Sequence, residues 1–126
     1  MDPKKYIGMD VHQACISVAV RDAAGKLVSE SIIETKATSI LEFVRGMRGS
    51  ISITFEEGTS AAWLYDLLNR HVTKVIVCNP RNALLNAGSI DARKLSDLLR
   101  AGLLTPVYHG ENGARTLREL GRSLSR

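Results

Sequence analysis

Lys5-Tyr-Ile-Gly-Met-Asp-Val-His12 is an apolar, strand-like run that carries one carboxylate, Asp10, to a position just before a turn. A charged group among apolar neighbours loses hydration and needs a partner to offset that loss, so Asp10 calls for a chemical reason. Outward from this run, residues 15–20 and 27–33 are further β-rich stretches, joined by connections too short for helices. Asp22-Ala-Ala-Gly25 has the composition of a hairpin turn, with Gly25 able to take a positive φ. The first three strands are therefore expected to form an antiparallel meander.

After Thr35 the periodicity changes. Ser39 and Glu42 have capping-box spacing, and Ile40, Leu41, Val44 and Met47 recur at helical intervals until Gly49. Strands and helices then alternate. A strand is expected over 51–55, a helix over 60–71 with Leu64, Leu67 and Leu68 inward, and a strand over 75–78 closed by Asn79-Pro80. A helix over 91–100 follows, and 103–108, broken by Pro106, reads as an extended stretch or edge segment. Right-handed crossovers return each later strand beside an earlier one, which predicts an α/β fold: a five-stranded mixed sheet of order 3-2-1-4-5 flanked by helices.

That order has a chemical consequence. Ser50-Ile-Ser-Ile-Thr-Phe-Glu-Glu57 delivers Glu56 and Glu57 to the end of the fourth strand, beside the strand that carries Asp10. Side chains facing each other on neighbouring strands stand only about 5 Å apart. Alternation puts Ser52, Thr54 and Glu56 on one face, which favours Glu56 over Glu57 as the partner of Asp10. Ser89-Ile-Asp-Ala92 places a third acid, Asp91, at the start of a helix, sharing a face with Leu95 and Leu98 and so directed toward the sheet. Three such acids suggest a site for Mg²⁺ or Mn²⁺, because close carboxylates repel unless a hard cation lies between them. Structural roles compete: Asp10 as a turn initiator, Glu56 and Glu57 as acids favoured by the dipole of the next helix, Asp91 as a first-turn acid behind an N-cap Ser89. His12 stands two residues beyond Asp10 as a secondary candidate, and Arg93 and Lys94 follow Asp91 as candidates for phosphate contact.

Composition narrows the class. A chain of 126 residues fits one domain, and no apolar stretch approaches the roughly 20 residues of a membrane helix. Met1-Asp-Pro-Lys-Lys5 offers no apolar leader, so a cytoplasmic, membrane-free protein is expected. Cys15 and Cys78 lack the spacing of a zinc site or a disulfide framework and read as buried thiols. The net charge of +4 permits a polyanionic partner. Residues 111–126 read as an amphipathic basic helix, with Arg115, Arg118 and Arg122 along one face and Leu117, Leu120 and Leu124 opposite.

Tyr-Ile-Gly-Met-Asp10-Val-His, Thr-Phe-Glu56-Glu-Gly-Thr and Ile-Asp91-Ala-Arg-Lys-Leu-Ser-Asp-Leu-Leu-Arg100, with Val75-Ile-Val-Cys-Asn-Pro80 and Pro106-Val-Tyr-His109, together resemble the catalytic domain of DEDD-type insertion-sequence transposases. These are relatives of the Piv-like DNA invertases. The resemblance implies an RNase H-like domain over 1–110, similar to Holliday-junction resolvases, with 111–126 opening a linker to a further domain. It implies metal-binding acids at Asp10, Glu56 and Asp91, Mg²⁺ or Mn²⁺ as cofactor, DNA as substrate, a guide RNA as in some relatives, and homo-oligomers on DNA. One acid of the family pattern is replaced by Gly88, and the C-terminal domain with its nucleophilic serine has no counterpart in this chain. A non-catalytic DNA-binding or assembly remnant is therefore the second reading. An actin-like ATPase or kinase is the third, opposed by Val11-His-Gln-Ala14, which lacks the glycine a phosphate-cradling turn needs.

Overall fold

Alternation along the first strand sends Ile7 and Met9 to one side of the sheet and Gly8 and Asp10 to the other, and the two sides are covered differently. The computed structural model describes residues 3–79, 91–104 and 106–108. Its elements are β1 (Lys4–Val11), β2 (Cys15–Asp22), β3 (Leu27–Glu34), α1 (Ala37–Arg45), β4 (Ser50–Glu56), α2 (Ala61–Asn69), β5 (Lys74–Cys78), α3 (Ala92–Ala101) and β6 (Pro106–Tyr108). The strands form one mixed sheet in the order β3-β2-β1-β4-β5-β6. The β1–β4 and β4–β5 pairs are parallel, while β1–β2, β2–β3 and β5–β6 are antiparallel. The expected order 3-2-1-4-5 is present, extended from five strands to six by the three-residue β6. Pro106 begins that strand at the sheet edge, where its missing N–H costs no ladder bond.

The main core lies on the Ile7/Met9 side. There Val18, Val20, Ile53 and Phe55 meet Ile40 and Val44 of α1 and Leu64, Tyr65 and Leu68 of α2, all buried. Full burial of each such side chain contributes about 1.5–3 kcal/mol, which makes this layer the main source of stability. The opposite side is covered by α3, whose buried stripe comprises Ala92, Leu95, Ser96, Leu98 and Leu99. A second, smaller core joins Leu95 to Cys78. The approach is close at Gly8, where a Cβ would stand 2.5 Å from the Ser96 backbone nitrogen, so glycine is the residue that lets the helix backbone reach β1. Gly102, at φ 72°, ends α3 in a left-handed turn, with its N–H donating to Leu99 O at 3.2 Å.

Some local expectations change. The N-cap of α1 is Lys36, so Ser39 and Glu42 lie inside the helix and form no capping box; the helix stops at Arg45, with Gly46 at its C-cap. The chain then turns back through Gly49, at φ 90°, beneath Pro3. Cys15 is half-buried, while Cys78 is buried as expected. Gly88, Ser89 and the expected helix carrying Arg115, Arg118 and Arg122 lie outside the described residues. Among the described residues, no helix is long and apolar enough to cross a membrane.

Candidate active site

The parallel register of β1 and β4 pairs Gly8 with Thr54 and Met9 with Phe55. One residue further on, Asp10 and Glu56 are neighbours on the same face of the sheet, where both strands run out. Glu56 therefore sits where the alternation argument puts it, and Glu57 follows as an exposed residue beyond the strand. A cleft of about 730 Å³ opens at this edge. Asp10, His12, Glu56, Glu57 and Ser60 form its polar wall, and Met9, Phe55 and Leu64 its apolar floor. The first turn of α2 borders the cleft, so the partial positive charge of that helix end favours an anionic group inside it.

Asp10 already has one partner. His12 Nε2 lies 3.1 Å from Asp10 Oδ2, and the carboxylate is about one-quarter exposed beside a 60 % exposed imidazole. The histidine backbone is held on both sides: His12 N–H donates to Cys15 O at 2.9 Å, and Thr35 Oγ1 donates to His12 O at 2.8 Å. A turn residue is thereby fixed with its ring against the acid. With Asp10 ionised, the hydrogen bond requires the proton on Nε2 of the ring. Thr35, the outer anchor, carried no signal in the sequence, because it reaches His12 across 23 positions.

Beneath Glu56 the support is dry. Thr54 is fully buried and its Oγ1 donates to Ile76 O at 2.9 Å, tying β4 to β5. Cys78 is the cross-strand neighbour of Glu56, and its Sγ donates weakly to Phe55 O at 3.6 Å. Burial pushes the Cys78 thiol up, and the charge of Glu56 adds to that effect, so this cysteine is a packed, protonated group.

Asp91 does not take the expected position inside the first turn of α3. Helical geometry begins at Ala92, and Asp91 is itself the N-cap, with Oδ1 accepting the Lys94 N–H at 2.8 Å. Its side chain is exposed and committed to the helix end, while Leu95 and Leu98 face the sheet without it. Among the described residues, no three His, Cys, Asp or Glu side chains gather into a group able to hold a metal ion. Among the described residues, Asp10 and Glu56 line one cleft, while Asp91 caps α3. No protein-family model matches the chain, and no curated protein matches it.

The two basic candidates on α3 also separate. Arg93 is engaged by Glu30 of β3, donating from Nε and a terminal nitrogen at 2.6 and 2.7 Å. That bidentate bond holds the Glu30 carboxyl below its ordinary range and raises the guanidinium. Arg21 reinforces the same junction, with Nε donating to Ser96 Oγ at 3.0 Å and a terminal nitrogen to Gly25 O at 2.9 Å. Arg93 thus clamps α3 to the sheet, whereas Lys94 is exposed at the N-terminal end of the helix.

Proposed function

We propose that this chain is the RNase H-like catalytic domain of a DEDD-type insertion-sequence transposase, performing metal-dependent phosphoryl transfer on DNA. The observation that carries the reading is the side-by-side placement of Asp10 and Glu56 at the ends of adjacent parallel strands, in a sheet that opens with an antiparallel meander. The motifs around Asp10, Glu56 and Asp91 supply the family likeness, and RNase H-like identity belongs to that likeness.

The donor set suits Mg²⁺. This ion keeps several waters and is commonly held by one or two carboxylates together with substrate phosphate oxygens. Asp10 and Glu56 are two such oxygen donors at an open cleft, which leaves room for water and phosphate to complete the shell. When bound, the metal would activate the attacking oxygen and stabilise the leaving oxygen of a phosphodiester. The chain's own residues supply the rest: His12 orients Asp10, Thr54 stiffens the strand under Glu56, and the α2 end draws the phosphate in. Asp91 acts as a positioning residue, because its capping bond sets the helix whose N-terminal turn packs on Gly8, two residues before Asp10.

A non-catalytic DNA-binding remnant is the second reading, favoured by the commitment of Asp91 to the helix cap. Incubating the protein with branched or nicked DNA decides between them. The enzyme reading expects cleavage or strand joining that requires Mg²⁺ or Mn²⁺ and disappears in both Asp10→Asn and Glu56→Gln. Products that persist in the Asp10→Asn protein would overturn it, and DNA binding with no products at any metal concentration would favour the remnant.

A further inference from the structure

The end of the sheet opposite the cleft is basic. Lys4 begins β1, Arg45 closes α1, Arg48 lies in the turn before β4, Arg70 follows α2 and Lys74 begins β5. These side chains belong to one surface, because the elements that carry them are tied together there. Lys4 pairs with Ser50 and Ser52 with Lys74 across the strand starts, Lys5 Nζ donates to Arg48 O at 3.2 Å, and Thr73 N–H donates to Ile51 O at 2.9 Å. Lys4, Arg45, Arg48, Arg70 and Lys74 are all exposed, and none forms an ion pair among the described residues. A hollow of about 260 Å³ lies at this end, lined by Gly49, Ile51, Arg70, His71, Val72 and Thr73, so that Arg70 alone of the five cations borders it.

A structural explanation covers part of this. Arg45 and Arg70 sit at helix C-termini, where the dipole favours cations. It does not account for Lys4, Arg48 and Lys74, which lie on strand starts and a turn. The nearest acids on the same helices, Glu42 and Asp66, lie a turn further from this end, and Asp22 is committed to accepting the Ala24 and Lys26 N–H groups. Cations gathered at one end of a sheet without ion-pair partners repel one another, and a line of phosphates relieves that repulsion.

We propose that this basic end is a second nucleic-acid surface, which grips the phosphate backbone of a duplex separate from the segment held at the cleft. The seven residues of β4 span the distance between the two ends, about 20 Å at roughly 3.3 Å per residue, so the same phosphates do not reach both. An anionic membrane is the less suitable partner. Among the described residues the exposed large apolar side chains are Val28, Ile32, Trp63 and Leu103, and none of them lines the hollow to serve as the apolar anchor that membrane attachment uses.

The test is duplex binding by fluorescence anisotropy across a salt series, without divalent metal, so that a failure of the cleft reading leaves the outcome unaffected. Arg48→Ala combined with Arg70→Ala removes two charges from exposed positions, and circular dichroism checks that the fold is kept. The double variant should bind duplex DNA about tenfold more weakly near 50 mM salt, with a salt slope shallower by about two, since each phosphate contact contributes roughly 0.9. Lys36→Glu changes the net charge equally at the cleft end and should stay within about twofold of the parent. Equal losses in the two proteins, or no loss in the double variant, would overturn the proposal. So would binding to phosphatidylserine vesicles, lost in the double variant, without binding to duplex.

Discussion

Gly8→Ala is the substitution whose effect the geometry fixes most closely. The added Cβ would meet Ala92 O, the Ser96 nitrogen at 2.5 Å and Leu95 Cβ at 2.9 Å, where ordinary contact begins at 3.4 Å. Two of these neighbours are backbone, so no rotamer change relieves the clash, and α3 must move outward by about 1 Å. A gap of 0.5–1 Å forfeits roughly a quarter to a half of each dispersion contact across the interface. Leu95, Leu98 and Leu99 lose packing together, and the bonds from Arg21 to Ser96 and from Arg93 to Glu30 lengthen. Overpacking of this kind costs about 1–3 kcal/mol, and the backbone contacts put the expected loss near the upper end. Urea unfolding should show a lower midpoint with an unchanged m-value, and Tm should fall by roughly 10 °C. A Gly8→Ala protein within about 0.5 kcal/mol of the parent would refute the claim that backbone-to-backbone approach of α3 to β1 builds this side of the molecule.

Acidity tests the α3 clamp. Because Arg93 holds the Glu30 carboxyl below its ordinary range, the bridge contributes stability above the unfolded-state pKa and loses it as pH falls through the folded one. The parent should therefore exceed Glu30→Gln in Tm at neutral pH, and the two should converge below the ordinary carboxylate range; a constant gap across that range would contradict the assignment. Thiol labelling separates the cysteines: half-buried Cys15 should react with a disulfide reagent well before buried Cys78, whose thiol is raised by burial, and equal rates would show that β5 is open. Thr54→Val should cost about 1 kcal/mol through the lost bond to Ile76 O, measured by urea unfolding, and a neutral result would show that the bond contributes nothing.

The strand order and the placement of Asp10 and Glu56 at the ends of neighbouring strands were legible because each rests on strong local signals. Three β-rich runs with short connections force a meander, alternating strands and helices force parallel crossovers, and a period of two decides which face Glu56 occupies. β6 was legible only as an edge segment, since three residues beginning with Pro106 carry too little pattern for a strand. Asp91 caps α3 instead of opening its first turn, one position from the expected start. A capping acid and a first-turn acid look alike in sequence, and the difference decides whether the carboxylate faces the sheet or the Lys94 N–H. The α1 cap failed for a related reason: Ser39 and Glu42 have the right spacing, but Ala37 already continues the helix behind them. The Arg93–Glu30 clamp joins positions 63 apart, and the basic end gathers residues from separate stretches of the chain, so neither has a local signature.

The proposed chemistry requires Asp10 and Glu56 to share one cation. Crystals soaked in Mn²⁺ and measured at the manganese absorption edge test this most directly. An anomalous peak is expected within about 2.5 Å of a carboxylate oxygen from each residue, lost in Asp10→Asn and Glu56→Gln. A peak that lies elsewhere, or one that persists in both variants, would contradict it.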